Sequence, residues 1–126
     1  PIVKHGKLSL GNLDAARDWG YAGDYVEAIW QMLQQPRPDD YVVGTGQLRT
    51  VRELCACAYT CVGLDWRQHV VSDARFVRPA ETGPTLANPA KARAELGWAP
   101  KTAFEDMIAA MVEAHRARLA TGLGRR

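Results

Sequence analysis

The stretch Leu10-Gly11-Asn12-Leu13-Asp14-Ala15-Ala16-Arg17-Asp18-Trp19-Gly20 carries the signals that decide the fold. Residues 8–10 predict a short strand that ends at a Gly-Asn turn. Arg17-Asp18-Trp19 predicts a second extended segment, and an amphipathic helix follows it. Strand, turn, extended segment and helix in this order indicate an α/β protein.

The helix after this stretch is predicted to begin at Asp24, because Asp24 and Glu27 have the spacing of a capping box. It is predicted to stop before Pro36. Its apolar residues recur at helical spacing and form one face: Val26, Ile29, Trp30 and Leu33. We expect Trp30, like Trp19 and Trp98, to be a packing residue.

The rest of the chain alternates short strands with helices. Residues 41–43, Tyr-Val-Val, predict a strand, and Thr50 with Glu53 predicts a capped helix. The last helix has a predicted buried face of Phe104, Met107, Ile108, Met111 and Val112. Only about three short strands are visible. The sequence therefore predicts a small α/β lobe of helices with a few short strands, without a linker that divides residues 1–126.

Composition and charge exclude several classes of protein. The 126 residues carry 16 basic and 14 acidic side chains, a net charge of +2, which is too balanced to favour a nucleic-acid partner. No apolar run approaches the ~18 residues of a membrane span, so we expect a cytoplasmic protein with no membrane partner. Residues 119–126 form a basic tail that we expect to be disordered. The start at Pro1 favours a segment of a longer chain.

The cysteines favour reduced thiols over a metal site. Cys55, Cys57 and Cys61 lie within seven residues on one predicted helix. Cys57 and Cys61 are one turn apart, but the three histidines are scattered without the spacing of metal ligands. We expect buried or half-buried cysteines and no metal.

The motifs of a complete oxidoreductase are missing from the chain. Gly44-Thr45-Gly46 follows a predicted strand, but a dinucleotide fingerprint needs glycine at position 49, which is Arg49. We therefore interpret it as a turn. None of the four tyrosines is followed by lysine four residues later, the pair that would lower a phenol pKa. No catalytic residue is predicted.

Two arginines and a glutamate form the candidate binding site. Arg17 and Arg78 are predicted on separate loops, with Glu81 three residues after Arg78. Guanidinium groups bind diphosphate oxygens bidentately, and a carboxylate accepts hydrogen bonds from ribose hydroxyls. The set suits a sugar nucleotide. The alternatives stay open: Arg17 pairs with Asp14 or Asp18, Arg78 braces its own loop, and Glu81 is solvated.

These residues occur within motifs that resemble the GDP-mannose 4,6-dehydratase family of extended short-chain dehydrogenases/reductases. The resemblance covers roughly residues 7–115, in order and with natural spacing. Its motifs are Leu10 to Gly20, Asp24-Tyr25-Val26-Glu27-Ala28, Arg78-Pro79-Ala80-Glu81, Asn88-Pro89-x-Lys91-Ala92 and Leu96-Gly97-Trp98-x-Pro100.

The resemblance implies the C-terminal, nucleotide-sugar-binding portion of such an enzyme. In that family an N-terminal Rossmann domain binds NADP and carries the catalytic residues, and none of these maps onto this chain. The implied roles are contacts of Arg17 and Arg78 with the diphosphate and of Glu81 with the ribose of GDP. Leu10, at the end of the first predicted strand, would lie near the guanine. The implied partners are GDP-mannose, the missing Rossmann half and a possible second copy of the chain.

The chain departs from the family pattern after Glu81. The family usually continues with apolar residues and an aspartate, whereas this chain has Thr82-Gly83-Pro84-Thr85-Leu86, which would redirect the loop. Two other functions therefore stay open. One is a non-catalytic remnant or interaction module, and the other is the lobe of another nucleotide-sugar epimerase or dehydratase.

Overall fold

The computed structural model of the protein describes residues 3–4, 6–77, 83 and 85–122. The chain divides into two compact units, each discontinuous in sequence. Unit 1 comprises Pro1–Ala15, Thr50–Thr82 and Ile108–Arg126, and unit 2 comprises Ala16–Arg49 and Gly83–Met107. Two of the crossings between the units fall inside regular elements, one in the strand Leu48–Thr50 and one in the helix Phe104–Ala120. Composition therefore does not mark these two boundaries, and the sequence predicts an undivided lobe.

Unit 1 contains a three-stranded sheet covered by short helices. The strands are β1 (Val3–Lys4), β2 (Lys7–Leu10) and β5 (Val70–Ser72), and the helices are α2 (Val51–Thr60) and α3 (Trp66–His69). Strand β2 is the middle strand, antiparallel to β1 and parallel to β5. Its parallel register with β5 pairs Leu8 with Val70. The strand predicted at residues 8–10 is confirmed.

The core of unit 1 lies between this sheet and α2. The buried residues are Leu13, Cys55, Trp66 and Val70, with Leu8, Leu10, Val51, Ala56 and Tyr59 packed against them. The capping box predicted for α2 is confirmed: the Glu53 backbone N–H donates to the Thr50 hydroxyl, and the Glu53 carboxylate accepts from the Thr50 N–H. This cap satisfies backbone donors that the first turn of a helix leaves unpaired.

Unit 2 is built around helices α1 and α4. It contains β3 (Ala16–Asp18), α1 (Ala22–Leu33), β4 (Leu48–Thr50, shared with unit 1 at its last residue), α4 (Ala90–Leu96) and the first residues of α5 (Phe104–Ala120). Strands β3 and β4 form a second, two-stranded sheet, so the extended segment predicted at Arg17 is confirmed. The buried core comprises Ala28, Ala92 and Trp98, and Trp98 is only 2% exposed.

The capping box predicted at Asp24 is wrong. Helix α1 begins at Ala22, and Tyr21 is at the cap position without a side-chain hydrogen bond. Asp24 instead lies inside the first turn with its side chain buried. Its carboxylate accepts hydrogen bonds from the backbone N–H groups of Lys101, at 3.0 Å, and Thr102, at 2.9 Å. The Asp-x-x-Glu spacing is therefore a coincidence here, because the carboxylate binds donors far away in sequence.

The strand predicted at residues 41–43 is also absent. The segment has no ladder partner among the described residues. Side chains hold it instead: the Tyr41 hydroxyl donates to Glu95 at 3.0 Å, and Val43 packs against the unit 2 core. A strand needs a second strand for its backbone groups, and the described part of unit 2 offers none there.

Helix α1 exposes the face that the sequence marks as apolar. Val26, Ile29, Trp30 and Leu33 are all exposed, at 61% for Trp30 and 77% for Leu33. The expectation that Trp30 packs inside the fold is therefore wrong in this chain, whereas Trp98 is buried and Trp19 half-buried. The side of α1 that does pack contains Ala28, Tyr25 and Met32. Helix α1 is thus apolar on two faces and covered on one.

The last helix and the cysteines agree with the predictions only in part. Phe104, Met107 and Ile108 are buried at the start of α5, but Met111 is exposed. Helix α5 continues to Ala120, and residues 123–126 of the predicted tail lie outside the described residues.

Cys55 is buried and Cys57 half-buried, as expected, while Cys61 at the end of α2 is exposed. None of the helices described combines the length and apolarity needed to cross a bilayer.

Candidate functional site

The structure does not describe two of the four predicted site residues. Arg78 and Glu81 lie in the gap of residues 78–82, so their contacts, and the alternatives raised for them, stay predictions. Arg17 is described in unit 2 and Leu10 in unit 1. The described remainder of the loop reappears at Gly83 and at residues 85–88.

Arg17 lines a pocket in unit 2, named here the Arg17 pocket. Its lining residues are Arg17, Asp18, Tyr25, Val42, Val43, Gly44, Thr85, Leu86, Ala87 and Asn88, around a volume of about 470 Å³. Arg17 lies on β3, is half-buried and donates from its guanidinium to the Ala16 carbonyl at 2.7 Å. Its backbone forms a parallel bridge with Thr85. The pocket therefore joins Arg17 to the segment that directly follows the loop of Arg78 and Glu81.

The Asp18 carboxylate is the most densely hydrogen-bonded group at this pocket. It accepts from the backbone N–H of Thr45 at 2.9 Å, of Gly46 at 2.8 Å and of Ala87 at 3.3 Å, and also from the Thr45 hydroxyl. Burial acts to raise the pKa of Asp18, but these hydrogen bonds outweigh it and hold the pKa below its ordinary value. Asp18 is thus a carboxylate that stays ionised and joins three segments of unit 2.

The Gly44-Thr45-Gly46 turn has a clear role that is not dinucleotide binding. The N–H groups of Thr45 and Gly46, which would face a phosphate in such a loop, both donate to Asp18. This geometry agrees with the failed fingerprint at Arg49, and the turn does not fit NADP. Two features of the sequence are consistent with this contact. Asp18 follows the candidate residue Arg17, and successive N–H groups of a Gly-x-Gly turn bind a negatively charged acceptor. The prediction missed it because 27 residues separate the two.

The carboxylates proposed as alternative partners of Arg17 have clear partners of their own. Asp14 accepts two hydrogen bonds from the Arg52 guanidinium in unit 1, the shorter at 2.7 Å. Asp18 accepts the bonds described above. Leu10 ends β2, is half-buried and packs against the unit 1 core. Its contact with guanine stays a prediction. In the described ranges no group of three or more His, Cys, Asp and Glu side chains could hold a metal ion.

Comparison with known sequences gives one consistent family. The model of the family described as GDP-mannose 4,6 dehydratase matches residues 2–111. The chain is 50% identical over 107 residues to GDP-mannose 4,6 dehydratase 1 of Arabidopsis thaliana, covering 85% of this chain and 30% of that protein. It is 38% identical over 124 residues to GDP-mannose 4,6 dehydratase of Homo sapiens, covering 85% of this chain and 33% of that protein. The chain spans about a third of the length of these relatives.

Solved structures give the same fold. RMD from Pseudomonas aeruginosa, complexed with NADPH, superposes with a TM-score of 0.80 at 22% identity, covering 91% of this chain and 37% of that one. UDP-glucose 4-epimerase of Thermotoga maritima, with UDP-glucose, gives a TM-score of 0.79 at 24% identity, covering 90% and 36%. At these identities the likeness shows the fold alone: an α/β lobe that corresponds to about a third of each solved chain, which confirms the predicted fold class.

Proposed function

The chain belongs to the GDP-mannose 4,6-dehydratase family, and from this premise we propose that it is the C-terminal portion of such an enzyme and binds the GDP moiety of GDP-mannose. The complete enzyme would be a lyase that converts GDP-mannose to GDP-4-dehydro-6-deoxy-mannose. The observation that carries the proposal is the position of Arg17: a half-buried guanidinium at the wall of a pocket within a family-matched framework. Arginine is suited to this position because its planar fork matches diphosphate oxygens.

The proposed roles divide the nucleotide between four residues. Arg17 and Arg78 would bind the diphosphate, Glu81 the ribose hydroxyls, and Leu10 the guanine. A diphosphate carries two negative charges or more, so two arginines would both orient it and offset the cost of removing it from water.

NADP would supply the hydride chemistry of the complete enzyme from another part of the protein. The turn at residues 44–46 does not fit this cofactor, because its N–H groups donate to the Asp18 carboxylate. No tyrosine of the chain has a lysine four residues later. We therefore expect the 126-residue chain alone to show no turnover with NADP and GDP-mannose. Measurable product formation by the purified chain would contradict this expectation.

A heteronuclear NMR titration of the ¹⁵N-labelled chain tests the binding proposal. GDP-mannose is added to one sample and UDP-glucose to a second. We expect amide shifts specific to GDP-mannose at Arg17 and residues 85–88. Arg17→Gln should weaken binding about tenfold or more, because it removes a charge-assisted, bidentate contact. Arg116→Gln is the matched control, since Arg116 is exposed on α5 and pairs with Glu113.

Each other outcome of the titration identifies a different function. Equal shifts with UDP-glucose would replace the GDP proposal with the lobe of another nucleotide-sugar enzyme. A well-dispersed spectrum that no nucleotide sugar perturbs would replace it with a non-catalytic remnant or interaction module. An Arg17→Gln effect no larger than that of Arg116→Gln would exclude Arg17 from the site.

The exposed face of α1 is where we propose that the N-terminal part of the enzyme docks. A helix that is apolar on both sides is stable in water only when both sides are covered. Unit 2 covers the Ala28 side, and the Val26–Leu33 stripe stays exposed. Residues 41–43, which are rich in strand-forming side chains but have no ladder partner among the described residues, would gain one from the same docking.

Dye binding tests the docking surface in the chain as it is. The wild-type chain should bind a hydrophobic dye such as ANS, and Trp30→Ser with Leu33→Ser should remove most of the signal. Met111→Ser is the control, because it removes an exposed apolar side chain from α5 instead. A monomeric chain that binds no dye, or a signal lost equally in the control, would contradict the docking proposal.

A further inference from the structure

The Asp18 carboxylate connects two segments that are far apart in sequence. Its Oδ1 accepts from the backbone N–H and the hydroxyl of Thr45. Its Oδ2 accepts from the backbone N–H groups of Gly46, at 2.8 Å, and Ala87, at 3.3 Å. One oxygen therefore holds the turn, and the other connects the turn to residues 85–88.

Residues 85–88 form one wall of the Arg17 pocket. Thr85 bridges the backbone of Arg17, and Ala87 donates to the carboxylate next to Arg17 in sequence. The backbone bridge to Arg17 and the hydrogen bond to the side chain of the adjacent Asp18 thus fix the segment in position and direction. The position of this wall therefore depends on Asp18 as well as on the bridge to Arg17.

The turn at residues 44–46 lies close to the wall formed by residues 85–88. A Cβ atom at Gly44 would overlap the Cβ of Ala87 and lie 3.1 Å from Asp18 Oδ2. Gly46 has a φ of +75°, a left-handed conformation that glycine adopts at little cost. Both glycines of the turn are therefore required: one for the space next to Ala87, the other for the backbone geometry that presents its N–H to Asp18.

We propose that Asp18 is the positioning residue of the Arg17 pocket: its carboxylate, held by the 44–46 turn, fixes residues 85–88 beside Arg17 and so sets the shape of the nucleotide site. This inference rests on the proposed function for the nucleotide, but the fixing of residues 85–88 is a separate property of unit 2. Asp18 does not contact the ligand in this proposal. It acts through backbone groups on either side of the pocket.

Asp18→Asn tests the proposal, because an amide keeps one acceptor oxygen and replaces the other by an NH₂ group that cannot accept. Amide hydrogen exchange at Ala87 and Gly46 is measured first, followed by the dissociation constant for GDP. We expect exchange at Ala87 to accelerate and GDP affinity to fall about tenfold, the scale of one charge-assisted hydrogen bond. Asp40→Asn is the matched control, since Asp40 is an exposed loop carboxylate in the same unit.

A second pair of variants separates positioning from general loss of structure. Thr45→Ser keeps the hydroxyl that donates to Asp18, whereas Thr45→Val removes it at nearly constant volume. We expect Thr45→Ser to retain wild-type exchange at Ala87 and Thr45→Val to show a smaller version of the Asp18→Asn effect. This pair also serves if Asp18→Asn does not fold.

The outcomes distinguish this inference from the proposed function. Unchanged Ala87 exchange in both Asp18→Asn and Thr45→Val would overturn the positioning role. Accelerated exchange with unchanged GDP affinity would show that the wall is fixed by Asp18 but irrelevant to the nucleotide, which also overturns it. A wild-type chain that does not bind GDP would refute the proposed function, and Ala87 exchange would then still decide whether Asp18 fixes the wall.

Discussion

Replacement of Asp24 by alanine should destabilise unit 2 more than any substitution of an exposed carboxylate. Asp24 is 7% exposed, and its Oδ2 accepts both backbone N–H groups at Lys101 and Thr102, just before α5 begins. Its Oδ1 accepts from the Thr102 hydroxyl at 3.3 Å. Alanine removes all three acceptor contacts and leaves two backbone donors without a protein partner.

The magnitude follows from these contacts. A hydrogen bond to a charged group is worth about 1.5–3 kcal/mol. Lys101 is exposed and Thr102 half-buried, so water replaces part of what is lost. We therefore expect a loss of about 2–4 kcal/mol in the free energy of unfolding, below the sum of two full contributions. Asp24→Asn should cost less, about 1 kcal/mol, because its remaining oxygen can accept both N–H groups.

Urea denaturation monitored by circular dichroism gives the global value, and a local probe assigns it to unit 2. The indole N–H of Trp98 donates to the Asp24 backbone carbonyl at 2.8 Å, so its proton resonance and exchange rate report on this part of the unit. Asp40→Ala is the control of equal charge change. Equal stability of Asp24→Ala and Asp40→Ala, or unchanged protection of Trp98 and Thr102, would refute the argument that this carboxylate holds the segment before α5.

Three further predictions concern other parts of the chain. Burial acts to raise the pKa values of Asp18 and Asp24, but their hydrogen bonds hold both below the ordinary 3.8. The stability that the two carboxylates contribute is therefore present above pH 3.8 and is lost as the pH falls through their pKa values in the folded chain. Urea titrations from pH 6 to pH 2 should show the free energy of unfolding fall below about pH 4, and the fall should be less steep in Asp24→Asn. An equally steep fall in Asp24→Asn would contradict this prediction. Gly44→Ala should cost about 1–3 kcal/mol through its clash with Ala87, whereas Gly83→Ala, with open space around its Cβ, should cost little in the same thermal melts. Thr50→Ala should cost about 0.5–2 kcal/mol by removing the cap of α2, measured by denaturation, while Thr50→Ser should be near neutral; equal costs would exclude the hydroxyl as the cause.

The candidate site can be proposed from the sequence only where it depends on residue type. Arg17 is proposed because guanidinium groups suit diphosphates and because its surrounding motif resembles a known family, and its contact with a nucleotide stays a prediction. The resemblance also carried the family assignment, which the match over residues 2–111 confirms. The role of Asp18 was missed, because its donors at residues 45, 46 and 87 come together only in the folded unit.

Sequence patterns are sufficient where the groups that bond to one another lie a few residues apart. The Thr50–Glu53 cap joins groups three residues apart, and the capping-box pattern predicted it. The alternation of residues 8–10 also predicted β2, but its pairing with β5 at residues 70–72 comes from the fold. In contrast, the partners of Asp24, the pairing of residues 41–43 and the covered face of α1 depend on segments that meet only in the folded unit. An acceptor, a strand or an apolar face is satisfied by whichever segment packs against it, and local spacing does not specify that segment. The 3.6-residue period of α1 marks its apolar positions, but the packing of Ala28 against Trp98 decides which of its faces unit 2 buries.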